Sequence, residues 1–193
     1  MDTRKSEIVD HLCTQRGTKE VEKYLKKCSK DCITTLLEEI KGSLRRIMTD
    51  VYGNYFIQKI IKSSSKEQLR IILENIKKDF ASIARNYSGT HVLQTLLDTI
   101  TTKDEEDLIL ESIKGKEYDM AFDDNGTHVL QKIIQKIKDE NRTDLNEVIF
   151  YNFVDLCVDS NGICVIKKFI EATTMEENKE RIKETMIDNC MDI

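Results

Sequence analysis

A nine-residue motif recurs four times along this chain at nearly constant spacing. Its copies are GNYFIQKII from Gly53, GTHVLQTLL from Gly89, GTHVLQKII from Gly126 and GICVIKKFI from Gly162. The steps between the glycines are 36, 37 and 36 residues. A period of this length is typical of proteins that stack copies of one small unit, because each unit buries its apolar face only against its neighbours.

Apolar residues around each glycine follow helical spacing and predict three helices per repeat. Leu44, Ile47 and Met48 lie nine, six and five residues before Gly53, and apolar residues stand at the same offsets before Gly89 and Gly162. A second helix is expected to start at each glycine, and a third helix follows it. The core positions of the second helix are predicted to be Phe56, Ile57, Val92, Leu93, Val129, Leu130, Val165 and Ile166.

Continuing the register upstream places Gly17 in a first, more divergent repeat. The chain contains no proline and only seven glycines in 193 residues, which favours helices with short connections. We therefore predict an all-α fold, a right-handed α-solenoid of three-helix repeats, as a single domain over 1–193. The predicted repeats are 5–40, 41–76, 77–113, 114–149 and 150–193.

The positions one, two and five after each glycine carry a recurrent polar set on the second helix. Their spacing predicts that all three side chains share one helix face, opposite the apolar stripe. A ring can stack on a nucleobase for about 1–3 kcal/mol, and an amide can pair with a base edge. This chemistry suits single-stranded RNA. The complete sets are Asn54, Tyr55 and Gln58, then Thr90, His91 and Gln94, then Thr127, His128 and Gln131.

At these residues the chain resembles the PUF (Pumilio) family of RNA-binding repeat proteins. The resemblance covers essentially the whole chain by period and is most specific in repeats two to four. It implies that the first and third residues of each set contact a base edge while the middle residue stacks. Asn54 with Gln58 matches the uracil-binding combination, and Thr90 with Gln94 is closest to the adenine-binding one. The fourth repeat, with Thr127 and Gln131, also matches adenine, so antiparallel binding would give 5′-A-A-U-3′ for repeats four, three and two.

The terminal repeats depart from the family pattern. Gly162 is followed by Ile163, Cys164 and Lys167, which include neither a ring nor an amide. In the first repeat Lys19 replaces the ring, while Thr18 and Glu22 resemble the guanine-binding combination. We therefore treat Thr18, Lys19, Glu22 and Lys167 as weaker RNA-binding candidates.

The charge distribution admits two interpretations. The net charge is −5, although the ten-residue segments that start at the five glycines carry a summed formal charge of +4. Positive charge on the second helices suits an RNA backbone, and Lys59, Lys62, Lys132, Lys167 and Lys168 supply it. The same charges are compatible with a solvated surface, and the acidic balance slightly favours a protein-binding α-solenoid.

The sequence shows no motif for catalysis, a metal or a cofactor. No P-loop, HExxH helix or nucleophile elbow occurs, and the six cysteines form no C-x-x-C pair, so we expect reduced thiols rather than a zinc site. No signal-peptide core or membrane-spanning run is present. We expect a monomeric, non-enzymatic protein of the cytoplasm, with the nucleolus or nucleus as the alternative.

Three functions follow from the resemblance and the charge. The first is sequence-preferring binding of single-stranded RNA, one base per repeat, in regulation of messenger RNA through 3′ untranslated regions, with a possible protein corepressor. The second is a PUF-like ribosome-assembly factor that binds ribosomal RNA with low sequence preference. The third is a protein-binding scaffold.

Overall fold

The computed structural model describes residues 3–25 and 30–189, and every regular element within them is helical. The chain forms two compact units, Met1–Ser112 and Ile113–Ile193. Because the apolar stripes have helical spacing and no proline interrupts them, each unit consists of helices joined by short connections.

In the first unit the helices form three successive triplets. The second helices of the triplets, α2, α5 and α8, pack side by side in chain order, and the third helices α3 and α6 pack on each other. The short first helices α4 and α7 are also in contact. The helices are α1 (Thr3–Leu12), α2 (Gln15–Leu25), α3 (Lys30–Ile40), α4 (Leu44–Thr49), α5 (Gly53–Ser63), α6 (Lys66–Ile76), α7 (Phe80–Ala84), α8 (Tyr87–Thr99) and α9 (Lys103–Ile113).

The second unit repeats the same arrangement in two triplets. Helices α11 and α14 pack side by side, with α10 against α11 and α13 against α14. The predicted all-α fold of three-helix solenoid repeats is confirmed. The helices are α10 (Glu117–Ala121), α11 (Gly126–Lys136), α12 (Thr143–Tyr151), α13 (Phe153–Val158), α14 (Gly162–Ala172) and α15 (Glu176–Asp188).

The apolar residues of the second helices form the centre of each unit. All eight predicted core positions are at most 2% exposed. Fully burying one such side chain contributes about 1.5–3 kcal/mol, so these positions supply much of the stability of each unit. They also orient the second helix, because the buried stripe determines which side chains remain exposed.

A side-chain cap precedes each second helix. The Oδ1 atom of Asp50 accepts hydrogen bonds from the backbone N–H groups of Tyr52 and Gly53, both at 2.8 Å. Such caps satisfy N–H groups that have no partner in the first helical turn. The same two-bond geometry, at 2.8–3.0 Å, is found for Asn86, Asp123 and Asp159.

The repeat glycines lie where the second helix passes closest to the first. A Cβ atom on Gly53 would lie 2.6 Å from the carbonyl oxygen of Ile47, six residues earlier. Gly162 has the same separation from its counterpart, and at Gly89 the approach to the Ile83 oxygen is closer still. The obstacle in each case is backbone, which cannot rotate away as a side chain can. The recurrent glycine is therefore required by close packing of two backbones.

We predict that Gly89→Ala destabilises the first unit by about 1–3 kcal/mol, because the added methyl group overlaps the Ile83 carbonyl. Urea unfolding monitored by circular dichroism measures the change. Gly42→Ala is the matched control: nothing lies within 4 Å of its Cβ, so its stability should be unchanged or slightly higher. Equal stability of the two variants would contradict the close-approach explanation.

A buried polar network holds the second unit together. Arg142 is 1% exposed and donates hydrogen bonds to the carbonyl oxygens of Ile134 at 2.9 Å, Ile137 at 2.5 Å and Ala172 at 3.2 Å. Its Nη2 atom lies 3.5 Å from the carboxylate of Asp139. The guanidinium thus joins the end of α11 to the end of α14, and its charge is compensated inside the protein.

Asp139 completes this network from the other side. Its Oδ2 accepts hydrogen bonds from the backbone N–H groups of Thr174 and Met175, and its Oδ1 accepts from Asn146 at 2.8 Å. Burial alone would raise the pKa of Asp139. The N–H groups of Met175 and Thr174, the Asn146 amide and the Arg142 charge together lower the pKa below its ordinary value of 3.8.

We predict that Asp139→Asn costs on the order of 3 kcal/mol at pH 7, because it leaves the buried Arg142 charge without its partner. The folded-state pKa of Asp139 is depressed, so its stabilisation is present above pH 3.8 and is lost as the pH falls through the folded-state pKa. The difference in unfolding free energy between wild type and Asp139→Asn should therefore decrease on acidification. Urea unfolding at a series of pH values from neutral to acidic measures this difference.

Glu147→Gln is the matched control, since Glu147 pairs with Arg181 at the surface. Exposed ion pairs contribute about 0–1 kcal/mol. The loss of unfolding free energy in Asp139→Asn should depend on pH and should exceed the loss in Glu147→Gln. A loss that does not change with pH, or one no larger than that of the control, would contradict the proposed role of the buried carboxylate.

Candidate nucleic-acid interface

The second helices place the predicted polar sets in equivalent positions within each unit. We call the side chains at positions one, two and five after the repeat glycines the candidate surface. In the first unit it lies on α2, α5 and α8, and in the second unit on α11 and α14. Because α5 packs against α8, and α11 against α14, successive sets within a unit are neighbours.

The first position of each complete set is buried, although the sequence analysis places it on the face opposite the apolar stripe. Asn54 is 4% exposed, and Thr90 and Thr127 are each 2% exposed. The neighbouring repeat covers this position. The Thr127 hydroxyl, for example, donates a 3.3 Å hydrogen bond to the carbonyl oxygen of Asn161, directly before the next glycine. Periodicity within one helix could not show this, because the covering atoms belong to another repeat.

The first and fifth positions are joined by a hydrogen bond in all three complete sets. Gln58 donates from Nε2 to Oδ1 of Asn54 at 3.1 Å. Gln94 donates to the Thr90 hydroxyl and Gln131 to the Thr127 hydroxyl, both at 3.2 Å. The buried residue therefore fixes the orientation of a half-buried amide whose outer atoms face the surface. The two positions therefore form one hydrogen-bonded pair rather than two independent side chains.

The middle position carries an exposed ring in each complete set. Tyr55 is 59% exposed, and His91 and His128 are also exposed. An aromatic ring held on a helix with its faces accessible can stack on a planar ligand. Each complete set thus combines an exposed ring with an amide that is oriented by a buried partner.

Two further residues belong to this arrangement and were missed by the sequence analysis. The Thr95 hydroxyl donates to Oε1 of Gln58 at 3.3 Å and so links the second and third repeats. Tyr87 is 75% exposed and its ring lies edge-on to that of His91. Tyr87 could have been found from its i, i+4 spacing to His91, whereas the Thr95 contact depends on packing between helices.

The terminal repeats present different chemistry. Thr18 is buried and Lys19 is exposed, while the Glu22 side chain lies outside the described residues. In the fifth repeat Ile163 and Cys164 are half-buried and Lys167 is exposed. At the described side chains of these two sets, lysine is the exposed group, which suits contact with phosphate rather than stacking on a base.

Basic residues lie on the second helices of repeats two, four and five. Lys59 and Lys62 on α5 are exposed, Lys132 on α11 is half-buried, and Lys168 on α14 pairs with Glu171 at 2.6 Å. Near the first set, the hydrogen bond from Arg16 keeps the pKa of Glu20 below its ordinary value, so this carboxylate stays charged beside Lys19. The second helices therefore carry mixed charge.

Neither a metal centre nor a membrane span is found in 3–25 and 30–189. Over those residues no group of three or more His, Cys, Asp or Glu side chains is arranged to hold a metal ion. The described cysteines Cys13, Cys32, Cys157 and Cys164 are free thiols, and burial raises the pKa of Cys13 to about 11. No helix in this part of the chain is long and apolar enough to cross a bilayer.

Solved structures of RNA-binding domains share this fold. The Puf4 RNA-binding domain bound to the HO endonuclease RNA 3′ UTR recognition sequence is 27% identical, with a TM-score of 0.85 over 91% of this chain and 54% of that one. The RNA-binding domain of yeast Puf5p bound to AAT2 RNA is 23% identical, with a TM-score of 0.87 over 96% and 53%. This chain thus spans about half the length of these domains.

Family models account for most of the sequence. Residues 2–116 match the NOP9-like PUF repeat domain, and residues 118–145 and 152–182 match the Pumilio-family RNA binding repeat. No curated protein matches the chain. The resemblance inferred from the repeated motif is confirmed, and the chain belongs to the PUF family of repeat proteins.

Proposed function

We propose that this protein binds single-stranded RNA with the candidate surface, one base per repeat in repeats two to four. The observation that carries the proposal is the recurrent pairing of an exposed ring with an amide fixed by a buried partner. Membership of a family of RNA-binding repeats supports it, as do the RNA complexes of the structural neighbours. The terminal repeats add phosphate contacts through Lys19 and Lys167.

The chemistry of each complete set suits a base edge. Among the described residues, Gln94 and Gln131 each donate one hydrogen bond within the protein, to Thr90 and Thr127. Each amide therefore keeps a carbonyl oxygen that can accept a hydrogen bond from a base and a second N–H group that can donate one to it. Because the bond to the threonine already orients the amide, less conformational entropy is lost on binding.

The second repeat differs in its hydrogen bonding. Gln58 donates to Asn54 and accepts from Thr95, and the Asn54 amide in turn donates to the carbonyl oxygens of Asp50 and Val51. The second repeat thus presents two amides, whereas repeats three and four present one amide and one hydroxyl. Because these groups differ, we propose a different base preference: uracil in repeat two and adenine in repeats three and four.

In the cell we propose a role in regulation of messenger RNA through 3′ untranslated regions, in the cytoplasm, as a monomer that can recruit a protein corepressor. The Puf4 RNA-binding domain, whose structure contains a 3′ UTR recognition sequence, supports the choice of target. No catalytic step is part of this role.

A second candidate is a ribosome-assembly factor that binds ribosomal RNA with low sequence preference, located in the nucleolus or nucleus. The match of residues 2–116 to the NOP9-like PUF repeat domain favours it. Both candidates use the same surface, and they differ in how strongly affinity depends on base sequence. A protein-binding scaffold is the third candidate, favoured by the net charge of −5.

We predict that Tyr55→Ala combined with Gln58→Ala weakens RNA binding by at least about 5-fold, since loss of one stacked base costs about 1–3 kcal/mol. Fluorescence anisotropy with a labelled RNA that contains AAU measures the dissociation constant. Tyr151→Ala is the matched control, because Tyr151 is 90% exposed at the end of α12, outside the candidate surface. Equal affinities for the control and the double variant would contradict the assignment.

We further predict that RNA containing 5′-A-A-U-3′ binds more tightly than scrambled RNA of the same composition. Each mismatched contact with a base edge leaves polar groups unpaired, which costs about 1–3 kcal/mol. Competition binding at fixed salt measures the ratio. Binding without sequence preference would favour the ribosome-assembly candidate, and no detectable RNA affinity at low salt would favour the protein-binding scaffold.

A further inference from the structure

The third repeat has an additional aromatic residue at the start of its second helix. Helix α8 begins at Tyr87, two residues before Gly89, as α2 begins at Gln15, whereas α5, α11 and α14 begin at their glycines. Asn86 caps α8 with an extended backbone and accepts from the N–H groups of Ser88 and Gly89. Tyr87 and His91 are therefore at i and i+4 within one helix, on the same face.

The two rings are in contact. Their centroids lie 5.7 Å apart with an interplanar angle of 87°, which is the edge-to-face geometry that aromatic pairs favour. Tyr87 nevertheless remains 75% exposed, so burial in the core does not explain this aromatic residue. The corresponding positions in the other complete sets are occupied by Val51 and Asp124, which have no ring.

The third repeat also differs in charge. Its ten-residue segment from Gly89 contains no lysine or arginine and carries a formal charge of −1, whereas the other four segments are positive. An anionic ligand gains less from electrostatic attraction at this repeat. Its contribution to binding must therefore come largely from ring and amide contacts, which makes the orientation of the His91 ring more important here than in its neighbours.

We propose that Tyr87 is a positioning residue that holds the imidazole of His91 in the orientation required to stack on a base. The inference rests on the proposed function and adds a residue to its site. A perpendicular neighbouring ring restricts rotation of the imidazole about its side-chain bonds, and the His91 side chain remains exposed. The rotational freedom that His91 would otherwise lose on binding is thus already reduced in the free protein.

A double-mutant cycle of Tyr87→Ala and His91→Ala tests the inference. Tyr87→Ala should weaken binding of an AAU-containing RNA by about 2- to 10-fold, the equivalent of one aromatic pair. The same substitution in the His91→Ala background should have no effect, because there is no ring left to position. Tyr87→Phe keeps the ring and should retain wild-type affinity. Thermal midpoints should be equal for Tyr87→Ala and wild type, since Tyr87 is exposed.

The imidazole signals of His91 in NMR spectra give a readout that does not depend on RNA. Removal of the Tyr87 ring should shift them, whereas Tyr118→Ala, the control, should not. The inference is overturned if Tyr87→Ala binds RNA as tightly as wild type, or if it weakens binding equally in the wild-type and His91→Ala proteins. In either case the proposed function stands. If wild-type protein binds no RNA, the proposed function fails and this inference fails with it.

Discussion

The close approach of two backbones at the repeat glycines, shown at Gly17, Gly53, Gly89 and Gly162, is the contact on which the rest of the repeat depends. The second helix starts against the carbonyl oxygen six residues earlier, and a carboxylate or amide cap holds the intervening turn. No side chain larger than hydrogen fits between them without displacing backbone. With this start fixed, the buried stripe at Phe56 and Ile57 sets the rotation of the helix, and the positions of the exposed ring and amide follow.

The same contact explains why the polar sets have an inner and an outer layer. Packing of successive second helices within a unit buries the first position, and the hydroxyl groups of Thr18 and Thr127 donate to the carbonyl oxygen directly before the next repeat glycine. A polar group buried there needs a hydrogen-bond partner, and the glutamine four residues later provides it. The same bond therefore satisfies a buried polar group and orients the half-buried amide of the proposed RNA-binding surface.

Much of the fold could be predicted because the responsible interactions repeat along the chain. The glycine spacing gave the helix starts at Gly53, Gly126 and Gly162, and the apolar offsets gave the buried positions. The buried pair of Asp139 and Arg142 could not be predicted in this way. It occurs in one repeat only, and its partners at Ala172 and Met175 are distant in sequence, so periodicity contains no signal for it.

The sequence by itself determined the repeat, the helices and the residue types available to contact a base, because these depend on spacing within one helix and on turn chemistry. Only the tertiary structure decided which of those residues are exposed. The burial of Thr127, the link from Thr95 to Gln58 and the mutual orientation of neighbouring sets depend on atoms contributed by the next repeat. Contacts between repeats are set by how side chains pack, and a motif that recurs unchanged does not specify them.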